Sequence, residues 1–539
     1  MKVGTSYKQK EIRGPFDAIV IGSGIGGLAT AACLAKHGGQ RVLVLERHYT
    51  AGGFTHTFRR PGYEWDVGVH YIGGVMESHS PIRQAFDDLT NGKLDWADMG
   101  ETYDRIIIGD DSYDFVKGRE NFRAQLHEYF PDERAAIDRY IELVRAAVRK
   151  AGLFFAEKAV PQPVAKVAGG LMRRPLMQLA KKTTRETLEE LTQNQRLIGV
   201  LTAQWGDYGL PPAKSSFFVH ALIAQHYFKG AAYPVGGASR IAATIEPVIE
   251  ASGGEVITSA EVDQILVEGR RAVGVRMTGG QELRAPAIVS NAGFTNTFFR
   301  LLPEETAARL KTTRIAESLE SSSAHLSLYI GLRETAAELG LEKTNLWIYP
   351  HHDHDQNVGK FIADLEAPLP LAYISFPSAK DPDFERRCPG RATIEVVTLA
   401  SYDWFKQWED QPWRNRGPDY EALKAKLTDR MLEPLYKHCP QVEGKIDIAE
   451  LSTPLSTRHF AGYAQGEIYG LAATPERFAA RFLQPRTELP GLYLTGADAS
   501  TLGVAGALHG GLFAASIILG RDIRKDVAKG AEEARTLQT

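Results

Sequence analysis

The chain has 539 residues, 43% hydrophobic and 24% charged, with 63 basic against 66 acidic side chains and a net charge of −3. That length exceeds one simple core and implies two or more domains, while the balanced charge excludes a general nucleic-acid binder. Three scattered cysteines, Cys33, Cys388 and Cys439, contain no CxxC pair, make neither a metal site nor a disulfide framework, and fit a reducing cytoplasm.

The first residues, MKVGTSYKQKEIRGPF, are polar and lack the apolar core of a secretory signal. From Asp17 to Ile21 the sequence is short, apolar and β-branched, as a buried strand is. Gly22, Gly24 and Gly27 then form GxGxxG, with Ile25 and Gly26 inside it. The first glycine permits a tight turn, the second lets backbone approach phosphate, and the third lets a helix pack close to the strand. The helix N-terminus offers free N–H groups and partial positive charge to a pyrophosphate. Gly38-Gly39 ends this helix. RVLVLE follows as a second parallel strand, closed by Glu46, which is placed to accept hydrogen bonds from ribose hydroxyls, and by Arg47. A carboxylate there disfavours the 2′-phosphate of NADP, which leaves NAD and FAD.

Gly52-Gly53 is a second close-approach turn, and Asp66, Gly68, His70 and Tyr71 form D-x-G-x-H-Y on a short strand. A nicotinamide dinucleotide needs no such second segment; a longer flavin, gripped along its length, does. Residues 76–228 read as a helical insertion, with Ile137, Ile141, Val144 and Val148 on one helical face. Between Arg145 and Arg185 there are ten basic residues and one acid, Glu157, interleaved with apolar residues. Such a segment suits an anionic membrane surface; the alternative is a helix pair with a basic, solvated outer face.

From residue 229 to 293 the dinucleotide domain resumes, with a Gly236-Gly237 turn, a helix, a hairpin and the buried strand AIVSNAG. No second GxGxxG occurs there, so a separate nicotinamide domain is not expected and the electron donor or acceptor stays open. Residues 294–480 carry strands of an antiparallel sheet, AHLSLYIGL, LAYISFP and ATIEVVTLA, flooring a substrate cavity. HHDHD, from His351 to Asp355, reads as an exposed loop, and no metal is expected. Residues 481–525 return to the dinucleotide domain. Gly496 and Asp498 end a strand, with Asp498 set to meet a ribityl hydroxyl. Val504, Ala505 and Ala507 open a helix that can aim N–H groups at the flavin pyrimidine edge. Its apolar stretch has the length of a membrane span, but its glycines, its histidine and the preceding Asp498 favour the flavin role. Residues 526–539 read as a flexible tail.

These segments resemble the flavin-containing amine oxidase and phytoene desaturase superfamily. Within it, DVGVHYIGG, AYPVGGASRI, IVSNAG and GLYLTGADASTLGVAGALHGG are most similar to the carotenoid isomerase and retinol saturase branch. The resemblance implies an α/β chain: a discontinuous Rossmann-like FAD-binding domain of the GR2 type, an antiparallel-sheet substrate domain and a helical, membrane-associating insertion. It implies that Val262 meets the adenine end through its backbone and that Ala292 and Gly293 lie near the flavin ring. The expected activity is FAD-dependent hydride chemistry at a C=C bond of a long apolar polyene or unsaturated lipid, by saturation or cis–trans isomerisation. His70 and Tyr71 are the first candidates for proton donor. Trp205, Tyr208, His220, His226, Tyr227 and His509 stand behind them. The alternatives are a carotenoid desaturase, a fatty-acid flavoenzyme, an amine oxidase, or a non-catalytic prenyl-binding chaperone of the same fold. The expected location is cytoplasmic, peripheral on the inner face of a membrane.

Overall fold

The computed structural model describes residues 2–159, 162–316 and 319–537. Six strands from distant parts of the chain form one parallel sheet. Their order is Thr5–Ser6, Glu255–Thr258, Val42–Leu45, Ala18–Ile21, Ala287–Ser290 and Leu492–Leu494. The four central strands are buried on both faces, which their unbroken Val, Ile, Leu and Ala runs allow. The helices Ile25–Gly38, Ser239–Glu250 and Gly503–Leu519 cover one face; the hairpin sheet of residues 262–284 covers the other.

Glycines set how closely these layers approach. A Cβ on Gly27 would lie 2.1 Å from the Gly22 carbonyl oxygen, and one on Gly511 2.6 Å from Ala29 Cβ. The glycines of the Gly503–Leu519 helix therefore serve its crossing against Ile25–Gly38. Among the described residues no single helix is long and apolar enough to cross a membrane.

The second sheet has seven strands in the order Ile446–Ser452, Ala324–Leu332, Ala392–Ala400, Ala372–Ser375, Asn345–Tyr349, Thr102–Ile108 and Asp111–Val116. All neighbours are antiparallel except Asn345–Tyr349 with Thr102–Ile108. The expected antiparallel sheet is thus mixed, and the insertion expected to be helical supplies two of its strands. TYDRIII, a Gly109 turn at φ 62°, and DSYDFV carry that hairpin. The rest of the insertion is helical, led by the antiparallel pair Arg134–Ala159 and Gln162–Ala180.

Two further expectations change. The tail is ordered through Thr536: the helix Arg524–Thr536 buries Val527, Gly530, Ala531 and Ala534 against Pro81–Leu89. Small residues at helical spacing make a flat stripe, so close that a Cβ on Gly530 would sit 2.0 Å from Asp88 Oδ1. Residues 538 and 539 lie outside the described residues. HHDHD is only partly a loop, because Asp353 caps the helix His354–Ala363 and His354 is buried with Nε2 2.8 Å from the Gly199 carbonyl oxygen.

Candidate functional site

A cavity of about 730 Å³ lies at the C-terminal edge of the parallel sheet and continues to the seven-stranded sheet. That position, outside the carboxyl ends of parallel strands, is where open α/β sheets bind ligands. At the sheet end its wall includes Gly22, Gly24, Glu46, Arg47, Gly53, Val262 and Ala292. Toward the other sheet it includes Phe54, His56, Val67, His325, Tyr329 and Tyr463.

The sheet end is built from backbone. Gly52 donates its N–H to the Ser23 carbonyl at 3.2 Å and to Ser23 Oγ at 3.1 Å. A Cβ on Gly53 would lie 2.9 Å from Gly24 Cα, so the two glycine turns touch. Glu46 is fixed beside them: Oε2 accepts from the Ser23 N–H (2.9 Å) and hydroxyl (2.6 Å), and Oε1 accepts from the His48 N–H (2.7 Å). Each carboxylate oxygen has further acceptor capacity. A helix N-terminus at a side-chain-free cradle, an acid at the end of the second strand, and a cavity within the usual size range for cofactor sites together fit FAD.

The remaining expected cofactor residues stand behind this wall. Ile25 is buried, Gly27 packs on Gly22, and a Cβ on Gly26 would sit 2.4 Å from Gly496 Cα. Gly293 has φ 84°, and Val504, Ala505 and Ala507 are half-buried on the first turns of Gly503–Leu519, off this cavity. Asp498 is held from within the chain. Its Oδ2 accepts from the Phe294 N–H at 2.7 Å and its Oδ1 from the Leu471 N–H at 3.2 Å, with Arg477 Nη2 3.6 Å from Oδ1. It ties three chain segments together and is not on the cavity wall. Asp66 likewise accepts from the Ala238 N–H at 2.9 Å and from the Tyr233 hydroxyl, fastening the YPVGGAS turn.

The two proposed proton donors also lie deeper than expected. Burial and nearby Lys380 push the His70 imidazole down to about 3, so it is neutral; its Nδ1 is 2.8 Å from Glu395 Oε2. Tyr71 is buried, with its hydroxyl 2.9 Å from Asp104 Oδ2 and 3.1 Å from Asp207 Oδ2. Neither residue lines the cavity. His325, passed over in the sequence, does. It is buried, and burial and His70 lower its pKa to about 4. Its Nδ1 has no hydrogen-bond partner among the described residues. The signal was the polar alternation His325, Ser327, Tyr329 within an otherwise apolar strand. Among the described residues no group of three or more His, Cys, Asp or Glu is placed to hold a metal ion.

The family described as flavin containing amine oxidoreductase matches residues 25–519. All-trans-retinol 13,14-reductase of Danio rerio is 38% identical over 526 residues, covering 94% of this chain and 86% of that protein. The chloroplastic prolycopene isomerase of Arabidopsis thaliana is 26% identical over 461 residues, covering 84% and 73%. A putrescine oxidase structure with putrescine bound superimposes with TM-score 0.61 at 14% identity, covering 94% of this chain and 99% of that one.

Proposed function

The chain belongs to the flavin-containing amine oxidoreductase family and is an FAD-dependent oxidoreductase, and on that premise we propose that it saturates a C=C bond of a retinoid- or carotenoid-like polyene. The observation that carries this reading is its 38% identity, along nearly the whole chain, to a relative named for reducing all-trans-retinol. The prolycopene isomerase relative extends the same substrate class. Bound FAD, once reduced, supplies a hydride to the substrate.

The residues of the chain account for the rest. Gly24, Gly53 and Glu46 hold the dinucleotide end. His48, His56 and His325 line the cavity yet are all lowered to about 4, chiefly by burial, so near neutral pH they present uncharged rings to an apolar substrate. Phe54, Tyr329 and Tyr463 continue that wall and limit the water beside the reacting carbons. The test is anaerobic incubation of the dithionite-reduced holoenzyme with retinol, lycopene isomers and unsaturated fatty acids. A gain of two hydrogens on a retinoid or carotenoid supports saturation. Loss of two, no mass change with a new isomer, or reaction only on fatty acids overturns it in favour of the desaturase, isomerase or fatty-acid alternatives.

A polyene of this kind partitions into lipid, and we infer a peripheral contact with an anionic bilayer through the Arg134–Ala159 and Gln162–Ala180 pair, on the cytoplasmic face. Its support is three apolar residues standing in solvent there, Leu153 (51% exposed), Val167 (90%) and Leu171 (73%), beside exposed Arg149, Arg174 and Lys181. Two of the basic residues counted in the sequence serve the interior instead. Lys158 donates to the Ala499 carbonyl at 3.0 Å, and Arg173 to that of Phe478 at 2.6 Å. The side chains of residues 162–166, including Lys166, lie outside the described residues. Each basic residue at an anionic surface is worth about 1 kcal/mol. Cosedimentation with phosphatidylserine vesicles, lost with Val167→Asp/Leu171→Asp and absent on neutral vesicles, is the expected outcome; equal sedimentation of the variant removes the contact from this pair.

A further inference from the structure

Every lysine and arginine on the cavity wall but one is either beside an acid or standing in solvent. Arg47 and Arg300 share Glu261, at 3.7 and 2.9 Å. Arg60 holds Glu450 through Nε at 2.7 Å and Nη2 at 2.6 Å, and Lys424 is 3.9 Å from Glu421. Arg414 has no ion pair among the described residues, but it is exposed. Arg416 is the exception. It lines the cavity, is only 7% exposed, and pairs with no carboxylate among the described residues.

Rings hold Arg416 in place. Its loop leads into the helix Pro418–His438 through Gly417, whose φ is 80°. The guanidinium carbon lies 5.4 Å from the Trp413 ring centre and 5.1 Å from that of Tyr420. Ring faces attract a cation, but they leave its N–H groups unused, and a guanidinium has five. Nη1 reaches the Tyr420 hydroxyl at a long 3.4 Å, and that hydroxyl is already engaged with Thr453 Oγ1 at 2.7 Å. Nε is buried with no partner; Nη2 makes no hydrogen bond among the described residues, yet is not sealed off as Nε is. A charge this far from water is costly unless an opposite charge meets it. The open ground beside it is the cavity, so the missing partner belongs to a ligand.

We infer that the polyene taken by this cavity ends in a carboxylate, and that Arg416 binds that end. This rests on the polyene reading above. One unshared positive charge on a planar fork matches a singly charged planar anion, two N–H groups to two oxygens. The FAD pyrophosphate carries two charges and has its own place at the Gly24 and Gly53 turns. A run of ring contacts leads from that place to Arg416: His48, whose N–H is tied to Glu46, meets Phe460 at 5.4 Å, Phe460 meets Trp413 at 4.8 Å, and Trp413 carries Arg416. Phe58, Tyr329 and Leu451 wall the same cavity and offer apolar surface to the hydrocarbon beyond its charged end. An alcohol or ester end would leave the guanidinium unpaired, so the site selects the acid.

The test is equilibrium dialysis of the oxidised holoenzyme against tritiated all-trans-retinoic acid, its methyl ester and retinol, with FAD content read from the flavin absorbance. The wild type should bind the acid at least about 10-fold more tightly than the ester or the alcohol. Arg416→Met keeps an unbranched stem beside Trp413 and Tyr420. It should weaken the acid by about 10- to 100-fold, leave the ester within about threefold and retain FAD. Arg416→Lys, a charge without the fork, should fall between. Equal wild-type affinity for acid and ester overturns the assignment, as does acid binding that Arg416→Met leaves within about threefold. Loss of FAD from a folded Arg416→Met protein also overturns it, giving the residue to the cofactor. If Arg416→Met does not fold, the wild-type preference and Arg416→Lys decide. Saturation is scored separately. A holoenzyme that binds the acid through Arg416 but, once reduced, adds hydrogen to neither acid nor retinol overturns the saturation reading and keeps the carboxylate site; one that saturates retinol and shows no preference for the acid does the reverse.

Discussion

The two ends of the interior are built from different material. Where the first helix starts, position is fixed by backbone: the glycine turns at 22–27 and 52–53 touch each other, and Gly26 lies against Gly496. Around Asp104 and Asp207, position is fixed by side chains from the segment 66–73, two strands of the seven-stranded sheet and the turn Trp205–Tyr208. Backbone contact tolerates no added atom and has nothing to titrate. A side-chain network tolerates an isosteric exchange but responds to protons. Holding a cofactor of constant shape suits the first; a response to pH comes from the second.

The largest expected effect follows at the backbone end. Ala at position 26 would put its Cβ 2.4 Å from Gly496 Cα, 2.7 Å from the Gly496 nitrogen and 2.9 Å from Asn291 Oδ1. Two of these are main-chain atoms that cannot turn aside. Gly26→Ala should cost at least the ~1–3 kcal/mol typical of overpacking and yield protein that purifies without the yellow flavin absorbance. Asp207→Asn, nearly isosteric with a protonated acid, should not lower urea-unfolding stability at neutral pH and should raise it, because the wild-type unfolded chain gains by releasing the proton that folded Asp207 keeps. Equal losses in the two variants would erase the distinction between the ends.

This difference in material also explains what could be read in advance. Gly22, Gly24, Gly27 and Glu46 are legible because a strand, a turn and a helix bring them together within thirty residues or so, each glycine marking a backbone approach at fixed spacing. The parallel sheet was legible for the same reason. The inner contacts of Asp498 were not legible, because its meeting with the Phe294 N–H is decided by a chain segment some two hundred residues away. Asp104 and Asp207 left no local trace, since Tyr71 joins them only after the strand Thr102–Ile108 has entered a sheet made mostly by residues beyond 320. TYDRIII was passed over because the surrounding insertion is helical. The Arg524–Thr536 helix was missed because a stripe of Gly and Ala reads as flexible until its partner, Pro81–Leu89, is known.

The smaller effect is the pH response of the side-chain end. His70, at about 3, and His56, His226 and His354, at about 4, lie below the usual 6.5, chiefly through burial. The unfolded chain therefore binds more protons than the folded one between those values. The stability they contribute is complete above about 6.5 and is lost as pH falls toward 4. Asp66, raised to about 7, and Asp207 and Glu395, raised to about 8, act with the opposite sign. Folded, they keep protons that the unfolded chain has released above about 4, so stability declines as pH rises and levels off once the folded values are passed. Between about 4 and 6.5 the two sets oppose each other. From about 6.5 to 7 the carboxylic acids change at about 1.4 kcal/mol per pH unit for each acid still protonated, and above about 7 the buried Lys158 and Lys380, each lowered to about 7 chiefly by burial, release protons that the unfolded chain keeps and act with the opposite sign. Urea unfolding should therefore show stability falling from about pH 6.5 to 7 and a shallower change above it. Asp207→Asn should remove about one acid's share of the slope, while Gly26→Ala should lower the whole curve and leave its slope in place. A slope that Gly26→Ala changes and Asp207→Asn does not would put the titrating groups at the wrong end of the interior.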